Sequence, residues 1–259
     1  FVRRISSCRR AASLNARRSV DSAAPMNLLK TLLPSAVVAL VFGFLGAWLF
    51  AWSGLGGNAT REWLLANPQI LPEMAEAYQA NEARTRLAGA SDEVVKPFPG
   101  AILGNPQGTV TLVEFTDYGC TFCRQSVDDV KALVEANPDL KVVMREWPIF
   151  QGSDVAAAWA LAAARQGKYA AFHDAMFLHG PPSEASVAKA AETAGLDMAA
   201  ARAFATSGDA ALELRKNMDL ARQLGFEGTP SWVVGDRVFS GAVGRAQLSD
   251  AVAAARKGA

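Results

Sequence analysis

The sequence is poor in cysteine and histidine, with three residues of the first kind and two of the second in 259. A structural zinc site takes four such ligands, and no second CxxC motif accompanies Cys120 and Cys123. An excess of charge of either sign is lacking as well, because 26 basic residues face 25 acidic ones. That balance argues against a nucleic-acid-binding protein. We therefore predict no metal, no cofactor and no nucleic-acid partner.

The N-terminal part combines basic residues with a long apolar run. Residues 1–30 form a basic leader, and Met26 within it is an alternative start of translation. The run from Leu32 to Trp52 has no charged residue and is about 21 residues long, which is the length that spans a bilayer. We predict a transmembrane or signal-anchor helix over residues 31–53, with a cleaved signal and a buried core helix as alternatives. The basic leader predicts that the rest of the chain is exported, either as a single-pass inner-membrane protein with a periplasmic catalytic domain or, after cleavage, as a soluble periplasmic protein.

The segment after the apolar run is predicted to be a helical arm, over residues 58–90. Proline disfavours helical geometry in the residue before it, so two helices or one helix kinked at Pro68 fit this pattern. The arm has too few large apolar residues to form a core of its own. We expect it to pack on the main domain or to self-associate in a homo-oligomer. Residues 91–104, with two prolines, are predicted to be a linker.

The main domain is predicted to span residues 105–259 and to begin with a βαβ unit. A buried strand, the CxxC motif, a helix and a second strand follow one another closely, which is the pattern of a parallel sheet. A largely helical segment with N-caps at Asp154 and Ser183 comes next, and a two-stranded antiparallel pair and a last helix end the domain. The predicted elements are strands at Thr109–Phe115, Leu140–Met144, Ser231–Val234 and Arg237–Ser240, and helices at Arg124–Ala136 and Arg245–Arg256.

Cys120 and Cys123 are the two cysteines outside the leader, which holds Cys8. A disulfide between residues so close in sequence closes almost no loop and stabilises little, so the pair points to chemistry. Cys120 lies where a strand ends and a helix begins, and the free backbone N–H groups there favour a thiolate. Cys123 follows one turn later on the same face. We expect Cys120 to be the exposed nucleophile that forms a mixed disulfide with a substrate, and Cys123 to be the more buried thiol that resolves it.

Several segments resemble the DsbA-like disulfide oxidoreductases of the thioredoxin superfamily, and they occur in the order of that family. An additional segment is similar to the N-terminal helical arm of an exported bacterial subgroup. The resemblance implies an α/β protein with a thioredoxin-like fold and an inserted all-helical domain over residues 151–226. Here that domain would follow the transmembrane helix and the arm. The segments are Val113–Cys123, Arg145–Ile149, Gly228–Ser231 and Phe239–Ala242, with Trp63–Pro68 in the arm.

The resemblance also implies roles for four residues near the cysteines. Thr229 and Pro230 match a loop whose cis-proline faces the CxxC motif and holds the substrate backbone, although Pro230 by itself reads as an ordinary turn residue. Glu114 matches a buried acid that assists proton transfer at the resolving cysteine. Its alternative is a strand residue whose carboxylate reaches solvent. Phe122 is expected to be exposed and to contact unfolded substrate, or else to pack against the domain.

The predicted function is thiol–disulfide exchange with exported, cysteine-containing proteins, with a membrane redox partner that resets the disulfide. The dipeptide between the cysteines, Thr121-Phe122, lacks the histidine of the strongly oxidising members, which indicates a milder oxidant. Thr229 before the proline resembles the isomerase-type members. We favour an oxidase, with a disulfide isomerase or a thiol reductase as alternatives. A hypothesis of another class is a chaperone or binding module in which the cysteines are incidental.

Overall fold

A computed structural model describes residues 24–53 and 55–258 of the chain. The chain divides into two compact units, the first ending at Ile70 and the second beginning at Leu71. The first unit contains helix α1 (Ala24–Trp52), helix α2 (Leu55–Ala66) and a 3-10 turn at Pro68–Ile70. Among the described residues, no helix is both long enough and apolar enough to cross a membrane. The transmembrane prediction for residues 31–53 therefore finds no support there, and most of the predicted leader, with Cys8, lies outside the described residues.

The second unit is built around a five-stranded sheet with the strand order β1-β3-β2-β4-β5. Strands β2 and β3 are parallel, and every other neighbouring pair is antiparallel. The predicted βαβ unit is present, with helix α5 as the crossover between β2 and β3. The antiparallel pair β4–β5 and the last helix, α11, also lie where the sequence predicts them. The bounds are β2 (Val110–Thr116), α5 (Thr121–Ala136), β3 (Leu140–Glu146), β4 (Ser231–Val234), β5 (Arg237–Ser240) and α11 (Arg245–Gly258).

The segment predicted to be a linker, residues 91–104, contains ordered structure, so that prediction is wrong. It holds helix α4 (Ser91–Val94) and strand β1 (Ile102–Gly104). Strand β1 pairs antiparallel with β3 and forms one edge of the sheet. A strand of three residues is too short to show the alternation of apolar and polar residues by which strands are recognised. Its conformation depends on the neighbouring strand, which lies almost 40 residues further along the chain.

The predicted arm is divided at residue 70, and its second helix belongs to the main unit. Helix α3 (Leu71–Ala88) packs against α10 and β5, the edge of the sheet opposite β1. The Arg86 guanidinium lies against Gly225, which ends α10 in the left-handed conformation with φ of 75°. A side chain at Gly225 would collide with that guanidinium.

Five helices lie between β3 and β4 among the described residues, where the sequence predicts a helical insertion. Ser183 caps α8 as predicted, because its hydroxyl oxygen accepts a hydrogen bond from the Ser186 amide at 3.1 Å. The N-cap predicted at Asp154 is wrong, since α6 begins at Ser153 and Gly152 occupies the cap position. The turn before α6 places Gly152, and not Asp154, at the cap position, and the residues around Asp154 do not show this by themselves. The helices are α6 (Ser153–Arg165), α7 (Tyr169–Leu178), α8 (Glu184–Thr193), α9 (Met198–Ala205) and α10 (Gly208–Leu224).

Apolar side chains cover both faces of the sheet, and β2 sends alternate residues to each. Leu112 joins the larger cluster, which contains residues of α5, α6, α7 and α11. Val113 and Phe115 join a second cluster that contains residues of α3 and α10. Successive side chains of a strand point to opposite faces, so Glu114 shares the face of Leu112. That face is the one against which α5 and Cys123 pack.

A buried arginine joins the end of α4 to the helical insertion. Arg145 on β3 is fully buried, and its guanidinium donates hydrogen bonds to Glu213 at 3.2 Å and Asn217 at 3.0 Å, both on α10. The same group also donates to backbone carbonyls of residues 93, 94 and 96, at the end of α4. Removing one partner of a buried ionic network leaves other groups unpaired, which costs about 3–5 kcal/mol.

We expect Arg145→Ala to lower the free energy of unfolding by about 3–5 kcal/mol, as measured by urea denaturation. The matched control is Arg222→Ala, which removes an exposed ion pair with Asp219. Pairs of that kind contribute about 0–1 kcal/mol. Equal losses in the two variants would contradict the structural role assigned to Arg145.

Candidate active site

The CxxC motif lies at the point where β2 passes into α5. Cys120 is the N-cap residue of α5, and its backbone N–H donates to the Asp117 carbonyl at 3.1 Å. Both cysteines are free thiols and both are buried, with exposed fractions of 3% for Cys120 and 0% for Cys123. Cys123 is the more buried of the two, as predicted, but the prediction that Cys120 is exposed is wrong, because the loop at Thr229 lies directly over it.

The two thiols differ strongly in how readily they ionise. A hydrogen bond from the Cys123 thiol is the largest cause that lowers the pKa of Cys120 well below its usual range, against the opposing effect of burial. The Thr229 hydroxyl and the backbone N–H groups of Phe122 and Cys123, in the first turn of α5, lower it further. Burial raises the pKa of Cys123 well above its usual range, and the neighbouring Cys120 and Glu114 raise it more. Cys120 is therefore the thiol that carries negative charge.

The loop before β4 covers Cys120. The Thr229–Pro230 peptide bond is cis, as the resemblance implies. In its protonated form, the Cys120 thiol donates a hydrogen bond to the Thr229 carbonyl at 3.1 Å. The Thr229 hydroxyl is buried, and no hydrogen bond to it is formed among the described residues. Residues more than 100 positions apart in sequence thus meet at one sulfur atom.

Glu114 lies beneath the cysteines and is 3% exposed, so its carboxyl group does not reach solvent. Burial raises the pKa of Glu114 to about 8, partly offset by a hydrogen bond from Ser126. The Ser126 hydroxyl is 3.4 Å from the Glu114 Oε1 atom and 2.9 Å from the Cys123 carbonyl oxygen. With a pKa in this range, the group can give or take a proton near neutral pH.

Phe122 is 57% exposed and lies between the cysteines at the start of α5. Its position agrees with the expectation of an exposed apolar side chain beside the nucleophile. The alternative, in which Phe122 packs against the domain, does not hold.

A second buried acid, Glu146 at the end of β3, was missed by the sequence reasoning. Its Oε1 atom accepts hydrogen bonds from Tyr169 at 2.6 Å and from Tyr118 at 3.2 Å. Tyr118 also lies 3.2 Å from the Nδ1 atom of His173. Burial raises the pKa of Glu146 to about 8 and lowers that of His173 to about 4, so both groups are largely neutral at pH 7. The sequence did carry a signal for this buried acid, because two adjacent charged residues, Arg145 and Glu146, end a mostly apolar strand.

Asp117, directly after β2, was also missed. It is 1% exposed, and its carboxylate accepts hydrogen bonds from the backbone N–H groups of Gly119, Ile149 and Phe150. No group of three or more histidine, cysteine or acidic side chains within residues 24–53 and 55–258 is placed to hold a metal ion.

A sequence profile for the DSBA-like thioredoxin domain matches residues 111–253, which is more than half of the chain. The chain belongs to this family. The family consists of thiol–disulfide oxidoreductases, and the chain is therefore an enzyme of that class. The matched residues include the CxxC motif, Glu114 and the Thr229–Pro230 loop.

Solved structures of DsbA-like and thioredoxin-like proteins agree with this assignment. A thioredoxin-like oxidoreductase from Silicibacter pomeroyi is 46% identical, covers 61% of this chain and 92% of its own, and gives a TM-score of 0.58. A linker-deletion variant of Proteus mirabilis ScsC is 25% identical over 77% of this chain and 92% of its own, with a TM-score of 0.65. The thiol–disulfide exchange protein alpha-DsbA2 of Wolbachia pipientis is 26% identical over 68% of this chain and 97% of its own, with a TM-score of 0.63.

Curated relatives of this DSBA-like chain include much longer proteins. It is 29% identical over 189 residues to a Na(+)/H(+) antiporter, NhaA 1, of Salinispora arenicola, covering 69% of this chain. It is similarly related to the antiporter NhaA of Herminiimonas arsenicoxydans, at 30% identity over 63% of this chain. The chain spans less than a third of the length of these relatives.

We expect the reduced protein to titrate with one thiolate well below the usual cysteine pKa of about 8.5. The measurement is thiolate absorbance near 240 nm against pH in a Cys8→Ser background, where Cys120 and Cys123 are the remaining thiols. Cys120→Ser is expected to abolish the low-pH transition. Cys123→Ala is expected to move it upward, because the hydrogen bond from the Cys123 thiol is the largest cause of the lowered pKa of Cys120. A low-pH transition that survives Cys120→Ser would show that the assignment of the thiolate to Cys120 is wrong.

Proposed function

We propose that the chain exchanges disulfides with exported proteins through Cys120 and Cys123, and that its net direction is oxidation. The observation that carries this proposal is the placement of the Cys120 sulfur between the first amides of α5 and the cis Thr229–Pro230 loop, with a lowered pKa. A thiolate in that position is a good nucleophile and a good leaving group. A binding module with incidental cysteines would not need two thiols with opposite pKa shifts.

Whether the enzyme oxidises or reduces its substrates depends on which redox form of the cysteine pair the site stabilises. The hydrogen bonds that lower the pKa of Cys120 act on the thiolate of the reduced form. A disulfide lacks that negative charge, so the same groups favour reduction of the enzyme and make its disulfide an oxidant. The argument supports an oxidase over a reductase.

The proposed reaction proceeds in two exchange steps. A thiolate of the substrate attacks the Cys120 sulfur of the enzyme disulfide, and Cys123 leaves with the electron pair of the broken bond. A second substrate thiolate then attacks the substrate sulfur of the mixed disulfide and releases the Cys120 thiolate. The substrate loses two electrons and gains a disulfide, and the enzyme is left as the dithiol. Turnover then requires a redox partner in the membrane that reoxidises the enzyme.

Glu114 has the position and the pKa to serve Cys123 as a proton donor and acceptor. Cys123 is fully buried and its thiolate is strongly disfavoured, so it must be protonated as it leaves. A carboxyl group on the same face of the sheet, with a pKa of about 8, can supply that proton near neutral pH. We assign Glu114 this role.

Substrate binding is assigned to the surface around Cys120. The Thr229 carbonyl oxygen lies 3.1 Å from the Cys120 sulfur, so a substrate cysteine joined to that sulfur would lie beside Thr229 and Pro230. Phe122 offers an exposed ring at the same place. An isomerase of this kind would bind misfolded substrates at the same surface, and the redox measurement below separates these two activities from that of a reductase.

We further propose that the catalytic domain works outside the cytoplasm, since a disulfide donor is opposed by the reducing cytosol. We expect a membrane-impermeant maleimide to label the reduced CxxC motif in intact cells expressing the Cys8→Ser variant. Labelling that requires lysis would place the domain in the cytoplasm.

We expect the Cys120–Cys123 pair to equilibrate with glutathione at a reduction potential above about −200 mV, more oxidising than the cytosolic glutathione poise. A value near about −270 mV would indicate a reductase.

In the Cys8→Ser background, Cys123→Ser is expected to accumulate a mixed disulfide with a disulfide-bonded protein, because the resolving thiol is gone. Cys120→Ser is the matched control and is expected to accumulate none. Equal trapping by both variants would overturn the assignment of the nucleophile.

A further inference from the structure

Asp117 joins the CxxC loop to a turn that is distant in sequence. Its Oδ1 atom accepts a hydrogen bond from the Gly119 amide at 2.6 Å, two residues along the same loop. Its Oδ2 atom accepts hydrogen bonds from the amides of Ile149, at 2.6 Å, and Phe150, at 2.9 Å, beyond the end of β3. The two oxygens together accept three hydrogen bonds from backbone amides.

The turn held in this way carries two large apolar side chains in contact with solvent. Ile149 is 43% exposed and Phe150 is 48% exposed, while their backbone amides are bound to the buried Asp117. A methyl group added at Gly119 would lie 2.9 Å from the Phe150 Cβ atom, so the CxxC loop packs directly on this turn. The exposed apolar pair therefore lies beside the residue that precedes Cys120.

Phe122 adds a third exposed apolar side chain, on the other side of Cys120 in sequence. Single exposed apolar residues are ordinary, but three in the segments that flank a reactive cysteine indicate a binding surface. Glutathione is too small and too polar to cover such a surface. An extended polypeptide whose cysteine has reached Cys120 would lay its neighbouring side chains there.

We propose that Asp117 is a positioning residue that holds Ile149 and Phe150 as a docking surface for apolar side chains next to the cysteine of an unfolded substrate. The inference rests on the proposed function at Cys120. The structure gives Asp117 no contact with the reacting sulfur through its carboxylate, so its effect is exerted through the turn. Cysteines with apolar neighbours are then the favoured substrates.

Asp117→Asn tests the assignment because an amide has a single acceptor oxygen. That oxygen can serve the Gly119 amide or the two amides of the turn, but not all three. The backbone hydrogen bond from the Cys120 N–H to the Asp117 carbonyl, at 3.1 Å, does not involve the side chain and remains. The substitution therefore weakens the link between loop and turn and leaves both cysteines in place.

The experiment measures kcat and KM for oxidation of two synthetic dithiol peptides, one with leucine and one with serine beside each cysteine. The wild-type full chain is expected to have the lower KM for the leucine peptide. Asp117→Asn is expected to raise that KM by about fivefold to tenfold, the effect of about one lost hydrogen bond. Its kcat, its KM for the serine peptide and its equilibrium with glutathione are expected to change less than twofold. Asp128→Asn, an exposed carboxylate on α5, is the matched control and is expected to change neither KM.

A double-mutant cycle separates positioning from a merely structural effect. Ile149→Ser with Phe150→Ser is expected to raise the KM for the leucine peptide as Asp117→Asn does. Adding Asp117→Asn to that background is expected to change the KM no further, because its effect passes through the two side chains.

Three outcomes would overturn the inference. The first is a full effect of Asp117→Asn in the doubly substituted background, which would mean that Asp117 acts on the CxxC loop. The second is an unchanged KM for the leucine peptide in the Ile149→Ser, Phe150→Ser protein, which is decisive even where Asp117→Asn fails to fold. The third is a wild-type chain that oxidises neither peptide, which removes the proposed function together with the inference.

Discussion

Burying a reactive thiol works against its ionisation, and the site is arranged around the solution to that conflict. Cys120 is almost completely covered, yet its pKa is lowered because the Cys123 thiol, the Thr229 side chain and two amides of α5 favour the thiolate. No single element supplies these donors. The helix start, the loop before β4 and the second cysteine have to be held together, and the sheet with its two apolar faces provides that frame.

The same frame places ionisable groups where water cannot reach them. Glu114 and Glu146 end up on buried positions of adjacent parallel strands, and burial raises the pKa of each to about 8. Their surroundings differ in what they offer. Glu146 is held by two tyrosines that rigidify the base of the CxxC loop, whereas Glu114 has one long hydrogen bond from Ser126 and lies against the resolving cysteine. The firmly held Glu146 is suited to a structural role, and the loosely held Glu114 is suited to proton transfer.

Much of the fold was accessible from the sequence where the pattern is local and long enough. Strands β2 and β3 and the β4–β5 pair were predicted within one or two residues, and helix α5 within three, because buried strands and the turn at Gly235 leave clear local patterns. Strand β1 was taken for a linker, since three residues carry no periodicity and depend on β3 for their hydrogen bonds. The arm was predicted to be helical and to pack on the main domain or to self-associate, and α3 does pack on α10 and β5. The division of the arm after Ile70 was not predicted, because it depends on contacts with elements more than 100 residues further along the chain.

The candidate site divides in the same way between sequence and structure. By itself, the sequence indicated the chemistry: a strand, CxxC and helix order points to Cys120 and Cys123 as the reactive pair, because the spacing of the cysteines and the start of the helix are both local. Only the tertiary structure decided how that chemistry is tuned. Thr229 meets Cys120 across 109 positions, and Asp117 meets Ile149 and Phe150 across 32 and 33. Hydrogen bonds of that separation exist only after the chain has folded, and a pKa depends on which atoms are near, not on which residues are adjacent in sequence.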